Sequence, residues 1–345
     1  MDLTRRQLGT QLGSAAVTST LGVGVLGAGA LVIAPSADAA ATWAYVDAEQ
    51  RSLALRSTSF AAKVSPTGQF QILHQVEPNT MMPLASSIKV FVMLAIVDAV
   101  RTGRYRWTAV FTLSAQDRAA GSGILGAKPV GTRVTLQTAA TYIFHLSDNS
   151  AASMMVRYLG QAAMARAVAA AGHTEPARLS PFATMRQDLW LNWSNDPWAV
   201  YARKVWQTSS AATKAALLAK ATRPGAWGPD LVHARPVWMN RLGFFASAAT
   251  LARAQVALHH AQKQPGMAPL RAILANPSYL ITKPAGWNYL QFKGGTAAGI
   301  KVGSWYAETS DGDQVLVMME AATRSINLTR FNAAATVAAG IVARS

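Results

Sequence analysis

Ser86 and Lys89 stand three residues apart at the head of a strongly apolar run that extends to Val100. On a helix, residues three apart share a face. Lys89 is the only lysine in the chain with a serine three positions before it. A serine hydroxyl is a weak nucleophile until a neighbouring base takes its proton. Burial at a helix start depresses a lysine pKa, and the helix N-terminus favours developing negative charge. The pair therefore points to nucleophilic catalysis, with Ser86 as nucleophile and Lys89 as its base.

Two further groups could complete such a site. Ser147-Asp148-Asn149 lies between two apolar, helix-like stretches. Its serine and asparagine can face a cleft while Asp148 caps or braces the turn, although a plain capping turn has the same composition. Lys293-Gly294-Gly295-Thr296 stands at the end of an apolar strand. Glycines there let a substrate backbone lie close, and the lysine offers a cation to a carboxylate. A simple bulge is the alternative.

The elements that must position these residues follow from patterning. Ser59–Val64 and Gln69–His74 flank Pro66-Thr67-Gly68 and read as a hairpin. Ser86 to Val100, Leu136 to Leu146, Ser150 to Leu159 and Phe245 to Gln262 read as helices. Tyr289–Lys293, Gly299–Ala307 and Gln314–Ala321 read as strands, with a turn at Asp311-Gly312-Asp313 and a closing helix over Asn327–Ala343. Strands, a helical middle and strands again imply an α+β fold. One antiparallel sheet pairs its N- and C-terminal strands, helices flank it, and an all-α lobe over about residues 84–275 is inserted between them.

The first forty residues read as an address. Thr4-Arg5-Arg6-Gln7-Leu8 precedes an uncharged stretch to Pro35 and an Ala-x-Ala pattern at Ala37-Asp38-Ala39. That pattern looks like a twin-arginine export signal, with an uncleaved membrane anchor as the alternative. Residues 41–345 are then the mature domain, in the cell wall, periplasm or medium. The chain has no cysteine, which excludes a thiol nucleophile, disulfides and a Cys-based metal site. Six histidines without ligand spacing, and no Gly-rich phosphate loop, imply neither metal nor nucleotide cofactor. A net charge of +16 suits either attraction to an anionic cell envelope or solubility alone, and nucleic acid is not an expected partner. A monomer is expected.

The three motifs in this order resemble the class A β-lactamases and their penicillin-binding relatives from about Gln69 to the C-terminus. Ser86-x-x-Lys89 and Ser147-Asp148-Asn149 match that pattern, and Gly121-Ser122-Gly123-Ile124-Leu125 looks like a segment common in exported members. Lys293-Gly294-Gly295 departs from Lys-Thr/Ser-Gly by lacking a hydroxyl at Gly294, which Thr296 could replace. The resemblance implies a β-lactamase/transpeptidase-like fold. It also implies that Ser147 relays a proton to the leaving nitrogen and that Asn149, Lys293, Gly295 and Thr296 hold substrate. Backbone N–H groups at Ser86 and near Ala297 or Ala298 would bind the oxyanion.

The family activates its deacylating water with a glutamate in Glu-x-x-Leu-Asn. Here Asp188-Leu189-Trp190-Leu191-Asn192 has an aspartate in that place. Asp188 serves as the base, or else a pairing of Arg186 with Asp188 or Asp196 merely pins the loop. Residues 193–240 form a Trp-rich insertion; six of the ten tryptophans fall between positions 190 and 238. It serves as a lid or wall, as a surface for peptidoglycan or lipid headgroups, or as a small core of its own. A serine hydrolase of β-lactams or related amides is the leading function. A D-alanyl-D-alanine peptidase or esterase, and a non-catalytic envelope-binding domain, are the alternatives.

Overall fold

The computed structural model describes residues 42–345, so the export-signal segment expected over residues 1–40 lies outside the described residues. Helix α1 (Trp43–Leu53) comes first, with Thr42 as its cap. Strands β1 (Arg56–Val64) and β2 (Phe70–Val76) then form the expected hairpin, followed by the short β3 (Met82–Pro83). A tight turn over Ala85–Ile88 leads into α2 (Lys89–Arg101). The small strands β4 (Val110–Thr112) and β5 (Arg133–Thr135) frame the loop ahead of α3 (Leu136–His145) and α4 (Asn149–Ala170). Helices α5 (Met185–Trp193), α6 (Pro197–Val205) and α7 (Ala211–Ala219) follow. After β6 (Phe245–Ala246) come α8 (Ala248–Gln262) and α9 (Leu270–Leu274). The chain finishes with β7 (Tyr289–Ala297), β8 (Ile300–Glu308), β9 (Asp313–Ala321) and α10 (Leu328–Ala343).

The main sheet runs β2-β1-β9-β8-β7 and is antiparallel throughout. The N-terminal strand therefore pairs with the C-terminal one, Arg56 opposite Ala321, and the helical lobe is inserted between them. Both faces of the central strands are buried, and their side chains divide strictly by parity. Val302 and Tyr306 of β8, with Val315, Val317 and Met319 of β9, join the core shared with the lobe. Trp305, Leu316 and Met318 face the other way, into a second core roofed by α1 and α10. No helix among the described residues is long and apolar enough to cross a membrane.

Four local expectations are corrected. The Ser86 segment opens as a 3₁₀ turn, and the α-helix begins only at Lys89. Phe245 and Ala246 are not helical but pair with Pro83 and Met82, because the chain there lies against β3; Ser247 then caps the true helix. The helix after Asn149 does not stop at Leu159 but resumes beyond a break at Gly160, whose φ is 80°. The strand expected over Tyr289–Lys293 does not stop at Lys293 but runs on through Gly294-Gly295-Thr296, since pairing with β8 continues to Ala297 opposite Ile300.

Candidate active site

Ser86 and Lys89 are brought together by the switch from 3₁₀ turn to helix. Lys89 Nζ lies 3.0 Å from Ser86 Oγ, and the lysine is fully buried. The same nitrogen donates to the Ser147 carbonyl at 2.6 Å and to Asn149 Oδ1 at 2.6 Å. Burial, followed by the charge of Lys293, holds its pKa well below the ordinary 10.5. A neutral amine has two N–H donors and one lone pair. In that neutral form the two short bonds would use both donors and leave the lone pair for the Ser86 hydroxyl.

Ser147 occupies a left-handed backbone conformation, φ 53°, between α3 and α4. Its hydroxyl sits between two lysines, 3.2 Å from Lys89 Nζ and 3.0 Å from Lys293 Nζ. Lys293 also donates to the Gly294 carbonyl at 2.8 Å. Burial, aided by the charge of Lys301, lowers its pKa to about 7. Ser147 Oγ is thus placed to pass a proton, with two amines of depressed basicity beside it.

Asp148 is the brace of this corner. One carboxylate oxygen caps α4 through Ala151 N–H at 2.8 Å, and the other accepts from Ile124 and Leu125 N–H at 2.7 and 2.8 Å. The Gly121–Leu125 segment is thereby drawn against the site. Ser122 Oγ donates to the Ser147 carbonyl at 2.7 Å, and Asn149 Nδ2 donates to the Ala120 carbonyl at 2.7 Å. Gly123 has φ 106°, and a Cβ there would stand 2.2 Å from Asp148 Cγ, so a side chain cannot be accommodated. No motif pointed to a contact between this loop and Ser147 or Asn149; its glycine spacing was the available signal.

Gly295 lies beneath the turn that carries Ser86. A Cβ on it would fall 2.2 Å from the Leu84 carbonyl oxygen and 3.0 Å from Ser86 N. Thr296 lines the adjoining cavity, and its hydroxyl accepts from Lys301 Nζ at 3.3 Å.

Asp188 reaches the same cavity, of about 300 Å³, which Ser86, Asn149 and Thr296 also line. It belongs to a regular helix, α5, opened by the Thr184–Gln187 capping box. Burial raises its pKa to about 7, against the lowering effects of the Asn192 side chain and the Lys89 charge. The alternative in which Arg186 pins the loop through an ion pair does not hold. The Arg186 guanidinium donates to the carbonyls of Ala221, Ala115 and Arg118, and Asp196 pairs with Arg223 at 2.8 Å.

The Trp-rich insertion divides its aromatic residues. Trp190 and Trp238 are buried, Trp198 and Trp227 are exposed, and Trp193 lines the cavity together with Leu231 and Ala234. Part of the insertion is therefore wall, and it does not fold around a core built from all six. Among the described residues no group of three or more His, Asp or Glu could hold a metal ion.

The family model described as "Beta-lactamase enzyme family" matches residues 9–222, a span that carries Ser86, Lys89, Ser147, Asn149 and Asp188. The chain belongs to the beta-lactamase enzyme family. It is accordingly a serine hydrolase. No curated protein matches the chain.

Solved structures agree on the fold at low identity. A beta-lactamase from Sphaerobacter thermophilus is 20% identical over 89% of this chain and 93% of its own, with a TM-score of 0.57. A beta-lactamase from Desulfarculus baarsii is 17% identical over 87% of this chain and 96% of its own, with a TM-score of 0.58. PBP-A is 14% identical over 85% of this chain and 94% of its own, with a TM-score of 0.57. A mutant of PBP-A has been solved as an acyl-enzyme complex with penicillin-G. The β-lactamase fold therefore spans the residues beyond 222 as well, where the family match stops and Lys293, Gly295 and Thr296 stand.

Proposed function

We propose that the protein hydrolyses β-lactams or related amides through an acyl-enzyme on Ser86. One observation carries the reading: a buried, low-pKa Lys89 whose N–H donors are taken up elsewhere, 3.0 Å from Ser86 Oγ. Ser86 Oγ attacks the carbonyl carbon and its proton passes to Lys89 Nζ. The oxyanion is held by backbone N–H groups of Ser86 and of the Thr296–Ala298 edge, which border the same cavity. As the C–N bond breaks, Ser147 Oγ gives its proton to the leaving nitrogen and is reprotonated from Lys89. Asn149 and Thr296 orient the substrate, and Lys293 attracts its carboxylate. Water then attacks the ester, its proton goes to Asp188, and Ser86 departs with a proton returned through Lys89.

Time-resolved intact-mass spectrometry with penicillin-G tests this, since that ligand acylates a mutant of the structurally similar PBP-A. An adduct that forms and clears, and that is absent in Ser86→Ala, is the expected result. An adduct on Ser86 that persists would favour a penicillin-binding peptidase, a reading supported by the raised pKa of Asp188, which leaves much of it protonated at neutral pH. An adduct surviving in Ser86→Ala would refute the nucleophile.

The same proposal places the enzyme outside the cytoplasm, on the twin-arginine pattern at Thr4-Arg5-Arg6-Gln7-Leu8 and the strongly basic charge that suits an anionic envelope. N-terminal sequencing of the exported protein tests it: a start near Ala41 is expected, and a start at Met1 would contradict cleavage.

A further inference from the structure

The two sides of Ser86 are unlike. Ser147 and Lys293, 3.0 Å apart, lie outside the cavity, on the side where the leaving nitrogen must be protonated. The acyl half of the substrate must extend the other way from Ser86, into the cavity itself. Its apolar lining is Met185, Leu189, Trp193, Leu231 and Ala234, beside the polar Ser122, Asn149, Asp188 and Thr296, and no lysine or arginine lines it among the described residues.

Most of that wall comes from two segments fastened together. Met185, Leu189 and Trp193 recur every four residues along one face of α5. The segment after Trp227 is tied to the end of that helix. Asp230 N–H donates to the Trp193 carbonyl at 2.9 Å, Trp193 Nε1 donates to the Arg235 carbonyl at 2.9 Å, and Ser194 bridges Pro229. These ties hold Leu231 across the opening. Its Cδ1 comes within 3.8 Å of the point where a Cβ on Gly121 would stand, so this segment, a strap across the end of α5, meets the Gly121 loop and narrows the cavity to a slot.

We infer that Leu231 and Trp193 are specificity-determining residues that select substrates with an uncharged, apolar or aromatic substituent on the acyl group and discriminate against an anionic one. A benzyl-sized group suits a slot of about 300 Å³. A carboxylate entering it would lose its hydration with no cation to replace it, and would approach the Asp188 carboxyl group. The inference rests on the Ser86 acylation reading and adds the substrate class to it.

Second-order acylation rates measured for benzylpenicillin and its α-carboxybenzyl analogue test it, because the two differ only by a carboxylate. The wild type should prefer benzylpenicillin by about tenfold or more. Leu231→Ala should reduce that preference, and Leu231→Lys should narrow or invert it by accelerating the α-carboxy analogue. Leu231 is 37% exposed, so both variants should melt like the wild type. Equal rates in the wild type, or a Leu231→Lys change that moves both substrates alike, would overturn the inference. If neither penicillin acylates the enzyme, the β-lactam reading has failed while the wall can still be judged with p-nitrophenyl phenylacetate against p-nitrophenyl acetate. Ser86-dependent preference for the phenylacetate keeps the inference; equal rates, or no Ser86-dependent turnover of either ester, remove it.

Discussion

The ring of Phe292 fills the space that a side chain on Gly294 would need: a Cβ there would stand 2.7 Å from Phe292 Cζ and 3.3 Å from the Val302 carbonyl oxygen. The two residues share a face of β7, and Phe292 stacks on Trp305 in the core beneath α10. The missing hydroxyl is therefore built into the packing. Gly294→Thr should destabilise the protein by about 1–3 kcal/mol through overpacking, without improving penicillin acylation. Phe292→Leu combined with Gly294→Thr should recover part of that loss in a thermal melt. A single variant as stable as the wild type would show the space to be open.

For the proposed base, the pH dependence of acylation is decisive. Only unprotonated Lys89 can take the Ser86 proton, and burial holds its pKa well below 10.5. The rate of adduct formation should therefore fall as pH drops through that lowered value, with the midpoint of the rising limb far below 10.5. Lys89→Ala should slow acylation by roughly 10²–10⁴-fold. A limb centred near 10.5 would mean that some other group takes the proton.

Asp188 should reveal itself in deacylation and in stability with opposite signs. Its carboxylate is the proposed base, so adduct clearance should increase as pH rises through about 7, the value to which burial lifts it. Asp188→Asn should trap the adduct. A raised carboxyl pKa means that the folded state holds a proton the unfolded chain has released, so stability declines as pH rises from about 4 to about 7. Removing that burden, Asp188→Asn should raise the melting temperature at pH 8 by a few degrees, and leave it unchanged at pH 4. A variant that clears its adduct normally would exclude the role.

Asp148 is predicted to matter without touching substrate. Asp148→Ala would free the N–H groups of Ile124 and Leu125 and uncap α4, at a cost of about 2–4 kcal/mol. Acylation should slow with it, because Ser122 and Asn149 would lose their register. Measured melting and acylation rates that both stay at wild-type values would contradict the bracing role.

How far the sequence could be read follows from which forces act locally. The hairpin around Pro66-Thr67-Gly68, the apolar run behind Ser86 and the closing helix capped by Asn327 all carry their own period and turn chemistry, and each appears nearly where expected. The three motifs were legible because their residue types are unusual in apolar surroundings. What was hidden is tertiary. Phe245 and Ala246 look helical on propensity and become strand only because Met82 and Pro83 lie alongside. Helix α1 was not among the expected elements; its Val46 packs into the second core with Phe331 and Ala335 of α10. The Trp-rich insertion spelled out its composition but not its allocation, since whether Trp193 or Trp227 turns inward depends on a strap that closes on α5 from a distance.

The pairing of β1 with β9 sets a timetable for biosynthesis. Arg56 cannot find Ala321, nor can β7 settle beneath Ser86, until nearly the whole chain has left the ribosome. A nascent molecule thus carries Ser86 early and the strand beneath it late. Any penicillin reactivity would switch on near the end of synthesis, and shortened chains lacking residues 313–321 would be inert debris rather than weak enzymes.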